Sequence, residues 1–476
     1  MRSMILPLVI LGTLSVAACT IQDNDKDQDS DDNGGAGRGA SSGQGGAGSG
    51  GVSGVGGAGT GGSGTGGTGT SGTGGGAMPG AKGWTAMPLV DDKRTENTVF
   101  HSGNDMVTGI YFNSLNEGFV ATTGSNQTFS QGGALFRATQ KQVTDIAIGG
   151  DGLVKCLLGS LNFVGVEKTS KGYVARAHAC ELIASEDGGK SFVVQAVGVG
   201  DPFGIERVLA FRETGSGALL VRDSGVVSVT TAAPGPNAIW DDTWAPEGAP
   251  PTPNPLPADQ CQGRPDGPLN PPLSTSVYVS ADAKFIAYTS SPNDNPQICI
   301  SNDGGKSFYP KVLPGVAADV LFAAPMGVTF ANDTTGITWY ANNIYPGATY
   351  IYRTTDSGNT WAKVDVPADI AGKDVELNTG FFAPDGQHGW IVGYNFSNKI
   401  ALMLKTSDGG ATWSTASGDL AAKVSEAGGD KLRAGFALDA YHLWVGGDRG
   451  ILMANEAGGE LASGERPKGG PPGSAR

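Results

Sequence analysis

Apolar residues are distributed along this chain in three regimes. Met4 to Val16 form one short apolar run close to the N-terminus. From residue 20 to residue 80 there is no hydrophobic period of either 3.6 or 2, so neither a packed helix nor a half-buried strand is predicted there. From Trp84 to Glu456 short strand-like runs recur, such as Thr349-Tyr-Ile-Tyr-Arg353 and Ile400-Ala-Leu-Met-Leu-Lys405. Each is followed by a cluster of Gly, Asp, Ser and Thr, the residues that close hairpins.

Four of these clusters align without gaps. They are Ser185-Glu-Asp187-Gly-Gly-Lys-Ser-Phe192, Ser301-Asn-Asp303-Gly-Gly-Lys-Ser-Phe308, Thr354-Thr-Asp356-Ser-Gly-Asn-Thr-Trp361 and Thr406-Ser-Asp408-Gly-Gly-Ala-Thr-Trp413. The residue types suit a tight turn between antiparallel strands. The Asp carboxylate accepts turn N–H groups, the glycines supply positive φ, and the closing aromatic ring opens the next strand with a large apolar surface. The aspartates recur at 187, 303, 356 and 408. Degenerate copies fit at Gln140, Gly235 and Glu456, each read as standing in the Asp slot. Repeats of near fifty residues with four strands each predict an all-β fold, a single seven-bladed propeller of four-stranded antiparallel blades. The last repeat lacks a fourth strand. Gly83-Trp84-Thr-Ala-Met-Pro-Leu-Val90 resembles the segments after other turns and is predicted to complete that blade, closing the ring.

The turn pattern resembles the Asp-box, or BNR repeat, of sialidases and sortilin-type receptors. That resemblance implies structural aspartates on the face away from the working one. The theme Gly-Trp-Ile-Val-Gly393, Leu-Trp-Val-Gly446 and their aromatic first strands is similar to the photosystem II stability/assembly factor-like propellers over residues 84–456. That family is non-enzymatic and binds protein partners, so binding is what the resemblance implies for this chain.

Composition adds the address. Arg2, the apolar run and Val16-Ala17-Ala18-Cys19 resemble a bacterial lipoprotein signal, with residues 1–18 removed and Cys19 lipidated. Thr20 after the cysteine resembles the outer-membrane sorting pattern. Residues 19–33 form an acidic spacer; its Asp29–Gly34 matches half of a calcium loop, but the twelfth position is Ala40, so no metal is expected. Residues 34–80 carry 25 of the 78 glycines and are expected to be a disordered stalk, as is the tail 457–476. The net charge of −14 argues against nucleic acid. With Cys19 lipidated, Cys156, Cys180, Cys261 and Cys299 remain, and three pairings are open; neighbours 156–180 and 261–299 are the expected ones.

In such a fold the loops between second and third strands, and those between blades, share the working face. They place Phe129, Asp223, Tyr345, Phe396 and Arg449 there, with Trp240, Asp241, Asp242 and Trp244 opening a Pro-rich insertion, 241–272. The function expected is an envelope lipoprotein, a monomer without cofactor, that binds a protein or glycan partner and touches membrane only through its lipid. The alternative is a glycoside hydrolase with paired carboxylates. A sialidase is excluded by the scarcity of arginines and the absent early Arg-Ile-Pro strand.

Overall fold

Hairpin after hairpin, the strand-like runs build one repeated unit. The computed structural model describes residues 83–87, 89, 105–124, 135–148, 162–178, 181–195, 208–214, 217–222, 227–230, 241–244, 261, 277–290, 297–315, 327–341, 349–416 and 418–459. Cys19, Cys156, Cys180, Phe129, Asp223, Trp240, Gly235 and Tyr345 lie outside the described residues, as do the spacer, the stalk, the tail from residue 460 and most of the Pro-rich insertion.

The chain enters through β1 (Thr85–Ala86). Sheet one is β2 (Asp105–Ser114), β3 (Glu117–Gly124), β4 (Leu135–Ala138) and β5 (Val143–Ile148). Sheet two is β6 (Asn162–Lys168), β7 (Tyr173–His178), β8 (Glu181–Ser185) and β9 (Val193–Gln195). Sheet three is β10 (Val208–Thr214), β11 (Gly217–Arg222), β12 (Val227–Thr230) and β13 (Asp241–Trp244). Sheet four is β14 (Val277–Val279), β15 (Ile286–Ser290), β16 (Gln297–Ser301) and β17 (Tyr309–Val312). Sheet five is β18 (Gly327–Phe330), β19 (Gly336–Tyr340), β20 (Tyr350–Thr354) and β21 (Ala362–Val364). Sheet six is β22 (Val375–Phe382), β23 (Gly389–Asn395), β24 (Ile400–Thr406) and β25 (Ser414–Thr415). One short helix, α1 (Leu420–Glu426), follows. Sheet seven is β26 (Leu432–Ala437), β27 (Leu443–Gly447) and β28 (Leu452–Asn455), and β1 supplies its fourth strand by pairing Thr85 with Ala454 and Ala86 with Met453. All these pairings are antiparallel, and sheets one to six are four-stranded meanders.

Because side chains alternate across each sheet, both faces must be covered, and neighbouring sheets cover them. Phe119, Leu135, Tyr173 and Ile183 pack between sheets one and two. Val174, Leu182, Phe211 and Leu220 pack between sheets two and three. Phe285, Ile300, Phe330 and Trp361 join sheets four and five, and Ile337, Trp339, Leu404 and Trp413 join sheets five and six. Sheet seven packs on sheet one through Trp444, Phe112 and Val107, the Phe112 and Trp444 rings lying stacked at 3.7 Å. The closing rings of the repeats, Trp361 and Trp413, are thus buried between sheets, and Phe192 and Phe308 pack partly buried against Phe119 and Tyr288.

Three details differ from the sequence expectation. Asp241, Asp242 and Trp244 stand in β13 rather than opening a loop, so the insertion between sheets three and four starts after Trp244. Backbone pairing with β12 decides this, since a ladder needs only N–H and C=O groups. The fold also runs past Glu456: Ala457 is buried and the last turn extends to Gly459. In that turn Asn455 Oδ1 accepts the N–H groups of Ala457 and Gly459, so Asn455 takes the Ser/Thr position and Ala457, not Glu456, stands in the Asp slot. Glu456 accepts instead from Gln140 Nε2 at 2.8 Å, tying the last turn to the matching turn of sheet one.

Cys261 and Cys299 form a disulfide with Cα atoms 5.7 Å apart. It joins the insertion to the third strand of sheet four, against Tyr288, whose hydroxyl is held protonated by burial.

Candidate functional site

Four strands in a meander put two kinds of connection at opposite ends. The turns between first and second strands and those between third and fourth strands share one end. The loops between second and third strands, and the passages from sheet to sheet, share the other.

The four aspartate turns occupy the first end. In each, the carboxylate accepts from the Ser or Thr two residues before it and from the backbone and hydroxyl of the residue four after it. For Asp187 these are Ser185 Oγ at 2.8 Å, Ser191 N at 2.9 Å and Ser191 Oγ at 2.6 Å. Asp303, Asp356 and Asp408 repeat the pattern with Ser301 and Ser307, Thr354 and Thr360, Thr406 and Thr412. The Ser or Thr hydroxyl in turn accepts the N–H of the residue four later, Gly410 in the last case at 3.0 Å. These turns also bind the neighbouring turn of their own sheet, Gly409 N donating to Gln387 O at 2.9 Å. Arg353 Nε reaches Gly409 O at 2.8 Å and Arg137 reaches Gly189 O, both across to the next sheet. Both carboxylate oxygens of each of these aspartates accept hydrogen bonds from within its own turn.

The hydrogen bonds also hold the aspartates ionised. Partial burial opposes the charge of Asp408, but the bonds from Thr412 and Thr406 outweigh it and keep its carboxyl below the ordinary value. A depressed folded-state pKa contributes stability that is present above the ordinary carboxylate value and is lost as pH falls through the folded one. Asp408→Ala is therefore expected to cost about 1.5 kcal/mol near neutrality, the low end for bonds to a charged acceptor because the turn is partly exposed. In thermal melts the gap between variant and parent should narrow once pH falls below the usual carboxylate range.

The opposite end is best described at sheets six and seven. Here the first strands carry a one-residue bulge, at Asn378 and at Arg433. A bulge re-aims the side chain it carries. It also explains Gly393, and Gly447 at the matching place one residue past Gly446: a Cβ on Gly393 would lie 1.8 Å from Glu376 O and one on Gly447 1.8 Å from Lys431 O. Asn378 Nδ2 donates to Leu432 O at 2.9 Å, knitting the two first strands. Arg433 turns the other way. Its Nε and Nη2 donate to the two Asp448 carboxylate oxygens at 2.8 and 3.3 Å, and its Nη1 donates to Glu376 Oε1 at 3.2 Å. Burial opposes the Arg433 charge, and Asp448 and Glu376 together outweigh it and keep it protonated.

Beside this network Lys431 Nζ lies 3.5 Å from Glu376 Oε2, 4.8 Å from the Phe396 ring centre and 5.5 Å from that of Tyr394. The two rings stand perpendicular, 89° apart with centres 4.9 Å apart, and form a corner. Phe396 N donates to Asp374 O at 2.9 Å, which brings Asp374 to the same loop, and Asp374 Oδ1 is buried with no hydrogen-bond partner among the described residues. Of the residues singled out in the sequence, Phe396 lies in this cluster and Arg449 beside it, exposed at φ +61° with Nη1 donating to Gly428 O at 3.0 Å. Asp448 stands in the Gly447-Asp448-Arg449 loop that the sequence assigns to this face; Glu376, Lys431 and Arg433 were not singled out. One signal was present: Glu376 and Lys431 precede Leu377 and Leu432 at the same repeat position, one repeat apart, with opposite charge.

Chemically this end presents paired charges and an aromatic corner. The Arg433 guanidinium stands between Glu376 and Asp448, so these two carboxylates cannot flank a glycosidic bond as an acid–base pair must. Among the described residues no group of three or more His, Cys, Asp and Glu side chains is placed to hold a metal. His388 and His442 each bond an aspartate in their own turn, Asp385 at 2.6 Å and Asp439 at 2.8 Å, at the end that carries the aspartate turns.

No family model matches the chain. A stretch of 72 residues, 15% of this chain, is 39% identical to the chloroplastic photosystem II stability/assembly factor HCF136 of Guillardia theta and spans 16% of that protein's length. Among solved structures, YCF48 from Cyanidioschyzon merolae superposes with a TM-score of 0.51 at 16% identity, over 79% of this chain and 98% of that one. A structure of YCF48 bound to D1 peptide gives a TM-score of 0.49 at 13% identity, over 80% of this chain and 99% of that one. The chain is thus an all-β protein of four-stranded antiparallel sheets that shares the fold of the YCF48 propeller and is homologous, over a short stretch, to photosystem II stability/assembly factors.

Proposed function

We propose that the chain is a closed seven-bladed Asp-box propeller, carried on a lipid-anchored stalk in the cell envelope, and that it acts without catalysis as an assembly or scaffold module binding a protein partner at its loop end. The observation that carries this reading is the 39% identity to an assembly factor over 72 residues. The closed ring is supported by the packing of sheet seven on sheet one and by the pairing of β1 with β28, which leaves a continuous scaffold on which loops are held for recognition. The assignment of faces is supported by the aspartate turns, in which both oxygens of each carboxylate already accept from the turn itself.

A photocrosslinking residue at Asn398, on the loop end, and at Lys306 or Asn359, on the turn end, tests the reading in cells of the source organism. Adducts to one defined envelope protein from Asn398 and none from the other two are expected. Adducts from Lys306 and Asn359 alone would reverse the faces. The anchor has its own test. Cys19→Ser is expected to move the protein from the membrane fraction to the soluble one and to remove the acyl mass from its N-terminal peptide. An unchanged membrane fraction would refute lipidation.

A further inference from the structure

The Tyr394–Phe396 corner holds a cation of the chain itself. Perpendicular aromatic faces attract a positive charge through their quadrupoles, and the attraction is strengthened where water is partly excluded. Tyr394 is 8% exposed and the side chains of Glu376 and Lys431 are 15% and 25% exposed, so the corner is sheltered and reachable. It carries more acceptor capacity than Lys431 uses. Glu376 receives Lys431 on one oxygen and Arg433 on the other, and Asp374, whose backbone carbonyl accepts Phe396 N, has a buried Oδ1 without a hydrogen-bond partner among the described residues. A buried carboxylate oxygen without a donor is costly and is relieved by an incoming N–H. Asp430 adds a further negative charge, its carboxylate accepting from Lys431 N at 2.8 Å. Against this stands one long, flexible ammonium side chain, the kind that swings away at small cost.

We propose that this corner, made by Tyr394, Phe396 and Glu376, receives a lysine or arginine side chain from a basic segment of the partner, and that Lys431 is the resident stand-in that the incoming cation displaces. This rests on the loop-end reading above and names the chemistry of the partner. The charge of the chain, −14, is complementary to a basic segment and would speed its encounter.

The experiment uses the full chain and a fluorescein-labelled heptapeptide alternating glycine and arginine, with two counterparts. One carries citrulline for arginine, which keeps the shape and loses the charge; the other carries glutamate. Anisotropy titrations are expected to show binding of the arginine peptide, at least tenfold weaker binding of the citrulline peptide and none of the glutamate peptide. Lys431→Met is expected to tighten arginine-peptide binding about three- to tenfold by vacating the corner. Phe396→Ala, which leaves the net charge unchanged, is expected to weaken it about five- to tenfold. Lys306→Met on the turn end serves as the control for net charge and is expected to leave binding within twofold. Thermal melts of each variant establish that it is folded, and Phe396→Leu substitutes for Phe396→Ala should the latter melt early. Weaker binding by Lys431→Met, preference for the glutamate peptide, or indifference to Phe396 would overturn the inference. A partner trapped from Asn398 together with any of those results would leave the loop-end reading standing and remove the cation site alone.

Discussion

Replacing Trp413 with alanine is expected to lower the unfolding free energy by about 3–5 kcal/mol, the range for truncating a large aromatic residue in a core. The ring is 8% exposed and packs between sheets five and six with Ile337, Trp339 and Leu404. Its indole N–H donates to Gly410 O at 3.2 Å, inside the turn that Asp408 organises, so the substitution also loosens the turn's glycines. The second of those glycines has little room for a replacement: Gly410 lies at φ +84° and a Cβ there would meet Ile337 at 2.7 Å. Denaturant titration measures the loss, and Phe396→Ala, on an exposed loop, should cost less than about 1 kcal/mol. A Trp413→Ala protein as stable as the parent would mean that the sheets do not depend on the ring between them.

The second large effect is expected from the disulfide. Cys261 and Cys299 are 38 residues apart, and closing a loop of that length stabilises by about 4 kcal/mol on the chain-entropy account. Cys299 is fully buried on the third strand of sheet four and Cys261 nearly so. Cys261→Ala with Cys299→Ala, which leaves no unpaired thiol, should therefore lower the denaturation midpoint as much as a core truncation. Non-reducing peptide mapping should recover the two cysteines in one cross-linked fragment from the parent. Recovery of either as a free thiol would refute the pairing.

The aspartate turns were legible because their physics is local. Ser185, Asp187, Gly189 and Ser191 bond one another within seven residues, so the same letters must recur wherever the same turn is made. The last turn departs from the expected position by one residue because its centre carries no acidic side chain. Asn455 makes the bond with an amide from the preceding position, a substitution that only the donors of Ala457 and Gly459 reveal. Helix α1 was not foreseen: it buries only Leu420 and Val424, too little for a periodic signal.

The loop-end cluster was less legible. Phe396 could be marked as an aromatic residue on a loop, but Glu376 stands in one first strand and Lys431 just before the next, 55 residues apart in sequence. Arg433 reaches both Glu376 and Asp448 because a bulge turns it out of the ladder's alternation, and a bulge leaves no mark in the hydrophobic pattern. The sequence alone determined the strand class, the repeat and the residues that make the four aspartate turns, because those depend on alternation and on bonds between near neighbours. Tertiary structure alone decided which charges meet at the loop end, because that depends on how one sheet is set against the next.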